Sequence, residues 1–251
     1  MSETDAALAR RLAEEAGKLL IDLRASGQFE GKALGAEGDR IANAHLMASL
    51  RRARPYDAVL SEEEKDDPSR LAVDRVWIID PLDGTREYGE GREDWAVHVA
   101  LAIGGEARDG AVALPALGLT LATDAPPAIP PHNGRLRMVV SRSRPPAEAM
   151  TVAEKLDAEL IPMGSAGAKA MAVVRGIADI YLHAGGQYEW DNAAPVAVAQ
   201  AAGLHATRID GTPMRYNNAD PYLPDLLICR KELTDRVMDV LGNSRGSLDS
   251  D

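Results

Sequence analysis

The chain has 251 residues, 45% hydrophobic and 27% charged, the composition of a soluble globular protein with room for one large domain or two modest lobes sharing a core. Its net charge of −11 excludes nucleic acid polymers and anionic membranes as partners, and its single Cys229 excludes a disulfide framework or a cysteine-rich metal site. No apolar run approaches the ~18 residues of a membrane span and no signal peptide is evident, so a cytoplasmic protein is expected.

Residues 3 to 25 space Leu8, Leu12, Leu19, Leu20 and Leu23 as an amphipathic helix. The segment SGQFEGKALGAEGD (26–39) carries four glycines and reads as a loop. A second helix is expected from Asp39, closing in basic residues. Strands are predicted over 57–60, 75–80, 95–103 and 110–117. TDAPPAIPPHNG (123–134), with four prolines, is the natural linker. Beyond it the pattern alternates: strand at 135–141, helices at 146–158 and 166–176, strand at 178–183, helix at 191–204, strand at 225–229 and a last helix from Thr234. The expected organisation is an N-terminal α+β lobe over 1–122 and a C-terminal α/β lobe over 135–242, with a disordered tail over 243–251.

Three places set carboxylates at the end of an apolar strand or the start of a helix: VLSEEE (59–64), IIDPLDGT (78–85) and EWDNAAP (189–195). Singly, each has a plain structural reading. Glu62, Glu63 and Glu64 make an acidic turn; Asp80 and Asp83 suit a turn with Pro81 and Gly84; Asp191 suits a helix N-cap with Pro195 in the first turn. Together they point to chemistry. Asp80 and Asp83, three apart around a rigid proline, project from one strand end, and carboxylates crowded there need a cation to stay ionised. Oxygen-only ligands suit Mg²⁺ or Ca²⁺. Gly84 and the amides after it supply donors for an anion, and a second helix N-terminus after Asp191 can do the same. Metal carboxylates beside phosphate donors indicate metal-assisted phosphoryl transfer. MGSAGAKA (163–170) comes nearest to a nucleotide P-loop and does not fit it.

SEE (61–63), WIIDPLDGTREY (77–88) and WDNAAPVAVAQAAG (190–203) resemble the inositol monophosphatase-like superfamily of Mg²⁺-dependent, lithium-sensitive phosphatases. They carry its D-P-[IL]-D-G-T and W-D-x-A-A patterns in the family's order. The resemblance implies an α/β (α+β) fold, a layered α-β-α-β-α sandwich, commonly a homodimer. It implies two or three Mg²⁺ ions held by the side chains of Glu62, Asp80, Asp83 and Asp191 and the carbonyl of Leu82, with Li⁺ as an inhibitor. Gly84, Thr85 and Asp191 would meet the substrate, Thr85 with Asp39 would orient the attacking water, and Glu63 would support the ligands from behind. One departure stands out: GKALGAEGD (31–39), carrying Lys32 and Asp39, is shorter than the family's K-x-D-x-S-P-V-T-x-A-D loop and lacks its S-P-V-T core.

DGTREY, VVSRSR (139–144) and GSAGAKAMAVVRG (164–176) further resemble the bisphosphate nucleotidase branch, which includes bacterial sulfur-assimilation phosphatases. The expected reaction is removal of the 3′-phosphate of adenosine 3′,5′-bisphosphate, with Arg142 and Lys169 as cationic substrate contacts. Two alternatives stand beside it. One keeps the metal site but acts on an inositol or sugar phosphate, including fructose 1,6-bisphosphate. The other is a non-catalytic, cation-stabilised binding protein, which would be marked by loss of one of the four carboxylates.

Overall fold

A computed structural model describes residues 3–246. The chain opens with α1 (Asp5–Ser26), capped by the Thr4 hydroxyl, and α2 (Gly31–Ala53). A first sheet follows from β1 (Ala58–Ser61), β2 (Arg75–Asp83), β3 (Ala96–Ile103), β4 (Glu106–Leu114) and β5 (Leu119–Ala122), ordered as named, with the short α3 (Thr85–Gly89) after β2. Only the β1–β2 pair is parallel in this sheet. The second half supplies β6 (Arg137–Ser141), α4 (Ala147–Lys155), β7 (Glu159–Met163), α5 (Ala166–Val174), β8 (Ile180–Tyr188), α6 (Glu189–Ala201), β9 (His205–Thr207), β10 (Tyr222–Cys229) and α7 (Thr234–Gly246). Its sheet runs β7-β6-β8-β10-β9.

Both faces of each sheet are covered, and the alternation of side chains along β2 shows how. Trp77 and Ile79 enter a core with Leu8, Leu12, Leu46 and Leu50 of α1 and α2. Val76 and Ile78 point the other way, into a core with Met171 and Val173 of α5, Ala193 and Val196 of α6, and Leu226 and Ile228 of the second sheet. A third core under α4 and α7 holds Met138, Ile180, Leu182, Leu227 and Val237. The result is the five-layer α-β-α-β-α sandwich. A strand buried on both faces reads as a continuous apolar run, which is why 75–80 is so plain in the sequence. The middle layer comes very close to the first sheet: a Cβ on Gly110 of β4 would lie 3.2 Å from Ala197 Cβ and 3.3 Å from Ala194 Cα of α6. The central core therefore belongs to both halves of the chain.

Several expectations need correction. The loop expected over 26–39 is confined to 27–30, because α2 begins at Gly31; Asp39 lies well inside the helix rather than at its start. Gly35 and Gly38 serve contact rather than flexibility. A Cβ at Gly35 would sit 2.6 Å from Thr85 Cγ2, and one at Gly38 would meet Leu20, Leu82 and Tyr88 at 3.0–3.1 Å. Strands β5, β7 and β9 were not expected. The helix expected from Asp191 begins at Glu189, so Asp191 is in the first turn rather than at the cap, and Pro195 lies beyond that turn. Pro195 has no amide to return to the Asp191 carbonyl. Helix α7 takes in the first four residues of the expected disordered tail, and 247–251 lie outside the described residues.

Candidate active site

Parallel pairing of β1 with β2 brings their C-terminal ends side by side, with Ser61 opposite Ile79 and the Glu62 amide donating to the Ile79 carbonyl. Glu62 thereby stands beside Asp80. Beyond Asp80 the ladder with β3 is interrupted: Asp80 faces His98, and Asp83 next faces Ala96, so β2 carries one extra residue there. The bulge turns Asp80 and Asp83 toward the same space. Asp80 Oδ1 accepts from the Leu82 amide at 3.0 Å. Gly84, at φ 89°, then reverses the chain into α3, where Cβ would be 3.2 Å from Ser165 Cβ and 3.3 Å from the Asp94 carbonyl. Thr85 Oγ1 donates to the Leu82 carbonyl at 3.1 Å.

Two helix N-termini from the second half meet this corner. Asp191 Oδ2 accepts from the Tyr188 amide at 2.6 Å, closing the first turn of α6. Ligand oxygens of Asp80, Asp83 and Asp191 all lie within 4.8 Å of one another. At α5, the Asp83 carboxylate accepts from the Ser165 hydroxyl and from the amides of Ala166 (3.1 Å) and Gly167 (2.6 Å). Ser165 also caps α5 by accepting from the Ala168 amide at 3.0 Å, with its own backbone at φ 53°.

The electrostatics follow from this crowding. Burial, then the charges of Glu62, Asp83 and Asp191, push Asp80 well above the usual carboxylate range. Burial and the charge of Asp191 push Glu62 up to about 7, although the residue keeps contact with solvent. Asp191 rises to about 6, from burial and the charge of Asp83. Asp83 goes the other way: burial would raise it, but His98, Ser165 and the Gly167 amide outweigh that and hold it down at about 2. Such a cluster cannot be fully ionised without a positive partner. Its donors are all oxygen, the set that Mg²⁺ takes, so the residues present fit that ion.

Asp39 lies on the α2 side of the same corner, buried and pushed up to about 7 by burial and by the charges of Glu63 and Glu62, with the neighbouring Thr85 side chain pulling the other way. A cavity of about 550 Å³ opens there, lined by Lys32, Ala36, Asp39, Thr85, Arg86 and Glu90. Since Gly35 leaves room for the Thr85 methyl, Gly35→Ala should displace Thr85. A misplacement of about 1 Å costs on the order of 10²-fold, so any activity that depends on Thr85 should fall by roughly 10- to 100-fold in this variant while its circular dichroism spectrum stays native.

Arg142 and Lys169, expected as substrate contacts, each have partners within the protein. Arg142 Nη2 is held by Glu87 at 2.8 Å and Glu90 at 3.0 Å. Lys169 is buried; its Nζ donates to the Ser165 carbonyl at 2.6 Å and sits 5.5 Å over the Tyr181 ring. The sequence reading also passed over His98 and Ser165. His98 interrupts an otherwise apolar strand, WAVHVALAI, and that interruption was the available signal.

The fold and the carboxylate-lined corner where its halves meet define a protein of the phosphatase sandwich class. The pattern of the inositol monophosphatase family matches residues 2–129 and 130–243, and the chain belongs to that family. A 3′-phosphoadenosine 5′-phosphate phosphatase of Mycobacterium leprae is 51% identical, covering 95% of this chain and 93% of that protein. Its namesake in Mycobacterium tuberculosis is 53% identical over 92% of this chain and 90% of that protein. Among solved structures, CysQ from Bacteroides thetaiotaomicron, a bacterial member of the family, superposes with a TM-score of 0.77 at 26% identity, covering 91% of this chain and 98% of that one. Among the described residues, no helix is long and apolar enough to cross a membrane.

Proposed function

We propose that this chain is a Mg²⁺-dependent phosphatase that hydrolyses the 3′-phosphate of adenosine 3′,5′-bisphosphate to give AMP, and that also accepts its sulfated form, in sulfur assimilation. The observation that carries the reading is the cluster of Asp80, Asp83 and Asp191 within 4.8 Å, contributed by both halves of the chain. Relatives at 51–53% identity named for this reaction support it.

In this reading Glu62, Asp80, Asp83 and Asp191 hold Mg²⁺ through their carboxylates and Leu82 through its carbonyl, with Glu63 behind them. When bound, the metal supplies positive charge that offsets the charge developing on the phosphoryl group. The chain's own groups do the rest. Amides at Gly84 and Thr85, at the start of α3, receive the phosphate oxygens. Asp39 and the Thr85 hydroxyl orient a water for in-line attack; its oxygen bonds to phosphorus as the 3′-oxygen leaves and takes up a proton. Arg142 and Lys169 are the cationic substrate contacts of this reading, and Lys32 and Arg86, which line the cavity beside Thr85, add positive charge nearby. Two or three Mg²⁺ ions, inhibition by Li⁺, a homodimer and a cytoplasmic setting belong to the same reading, as does a division of labour between the lobes 1–122 and 135–242.

Phosphate release measured with Mg²⁺ and with EDTA tests it. The substrates are adenosine 3′,5′-bisphosphate, inositol 1-phosphate and fructose 1,6-bisphosphate. The expected result is a kcat/KM at least about tenfold higher for the nucleotide, a difference of about 1.4 kcal/mol, and no release in EDTA. Preference for either other phosphate would sink the substrate assignment, and no release from any of the three would favour a binding protein.

A further inference from the structure

His98 stands at the centre of the corner without belonging to its carboxylate set. It comes from β3, is fully buried, and reaches toward both halves of the site. Its Nδ1 lies 2.9 Å from the Trp190 carbonyl, one residue before Asp191. A carbonyl can only accept, so Nδ1 carries the proton in that contact. The other ring nitrogen, Nε2, lies 3.3 Å from Asp83 Oδ2 and has no aligned hydrogen-bond partner among the described residues. A buried nitrogen left in this way calls for an explanation.

The neighbours show how tightly the ring is placed. A Cβ on Gly167 would fall 2.0 Å from Nε2, so α5 approaches β3 only because that residue is glycine. Gly167 then gives its amide to the same oxygen that His98 faces. Asp83 Oδ2 is thus surrounded by the Ser165 hydroxyl, the Gly167 amide and His98 Nε2, whereas Oδ1 meets the Ala166 amide at 3.1 Å. Three groups therefore crowd Oδ2, whereas a single amide meets Oδ1.

We propose that His98 is a positioning residue: braced on the Trp190 carbonyl, it fixes the rotation of the Asp83 carboxylate and its spacing from Asp191, so that Oδ1 is presented to a divalent cation. The proposal rests on the reading of this corner as a Mg²⁺ site. His98 spans the seam between the halves, linking a β2 carboxylate to the first turn of α6. Outer partners of ligating groups typically alter metal affinity by about 10- to 100-fold when removed.

Isothermal titration of Mg²⁺ and Mn²⁺ into the whole protein reads this directly, without turnover. His98→Asn keeps a nitrogen where Nδ1 stands and loses the one facing Asp83; His98→Gln does the reverse. The expected result is Mg²⁺ binding weakened about tenfold or more by H98N, and weakened less by H98Q, which loses the Trp190 brace but still faces Asp83. Equal weakening by both, or none by H98N, would make His98 a core filler and overturn the proposal. Should H98N not fold, ¹⁵N-histidine spectra of the unaltered protein decide. Mg²⁺ should move the His98 ring resonances and leave those of His45, His132, His183 and His205 in place; an unmoved His98 overturns the role. If the unaltered protein binds neither metal, the Mg²⁺ reading itself fails, and that outcome is separate from any difference between the variants.

Discussion

Asp83→Asn is expected to lower kcat/KM for adenosine 3′,5′-bisphosphate by at least about 10²- to 10³-fold, the range that loss of a single preorganised electrostatic group costs. The carboxylate does two things in this structure. It contributes one of three clustered carboxylates, and it anchors the N-terminus of α5 through Ser165, Ala166 and Gly167. Asn removes the charge and turns an NH₂ toward groups that already donate. A donor left facing donors costs about 1–3 kcal/mol, which in a chain of this size lowers Tm by roughly 3–10 °C. The variant should therefore remain folded at 25 °C, as circular dichroism can verify, while phosphate release and Mg²⁺ heats are lost. Retained turnover would remove Asp83 from the machinery. A binding protein has no turnover to lose, so the experiment also separates the two classes of reading.

Metal-free protein should lose thermal stability as the pH rises from about 6 to 8. Asp39 and Glu62 titrate at about 7, Asp191 at about 6 and Asp80 well above its ordinary range, all raised first by burial. A carboxyl raised in the folded state favours folding while it stays protonated, and that advantage is lost as the pH climbs through the folded value. Asp83 is depressed and acts in the opposite sense, but its window runs from about 2 up to 3.8, well below this range. His183 and His205, lowered by burial, oppose the trend only below their ordinary 6.5. In EDTA, Tm is expected to fall on the order of 5–10 °C between pH 6.5 and 8, with about 1 kcal/mol corresponding to about 2–4 °C. Added Mg²⁺ should restore most of that loss at pH 8 and little at pH 6. A flat or rising Tm in EDTA would show that these carboxylates are not crowded together.

The parts of the fold legible in the sequence are those where one local signal dominates. β2 announces itself because both its faces are buried, and the ends of β1, β2 and the start of α6 carry their carboxylates in short recognisable patterns. The start of α2 was hidden by its glycines. Gly35 and Gly38 look like loop residues, yet they let α2 lie against Thr85, Leu82 and Tyr88, so packing overrides a poor local propensity. β7 was hidden by Pro162 and an exposed edge, and β9 by its length of three residues. The partners of Arg142 and Lys169, namely Glu87, Glu90 and Ser165, are fixed by tertiary contact, which charge pattern alone cannot reveal. His98 was hidden for the same reason, since Trp190 is brought to it from 92 positions away.

The shared central core has a consequence for how this chain can be inherited. The boundary at 123–134 looks like a place where halves could be exchanged between relatives. The face that α6 presents to β4, however, is shaped by Gly110 on one side and Ala194 and Ala197 on the other. A recombinant joined at the proline-rich segment brings together two surfaces with separate histories. It can bring the Asp83 and Asp191 carboxylates together only where that glycine-to-alanine fit survives. Substitutions on the two sides of the seam should therefore drift as a pair, although the chain crosses between them through its most loosely patterned stretch.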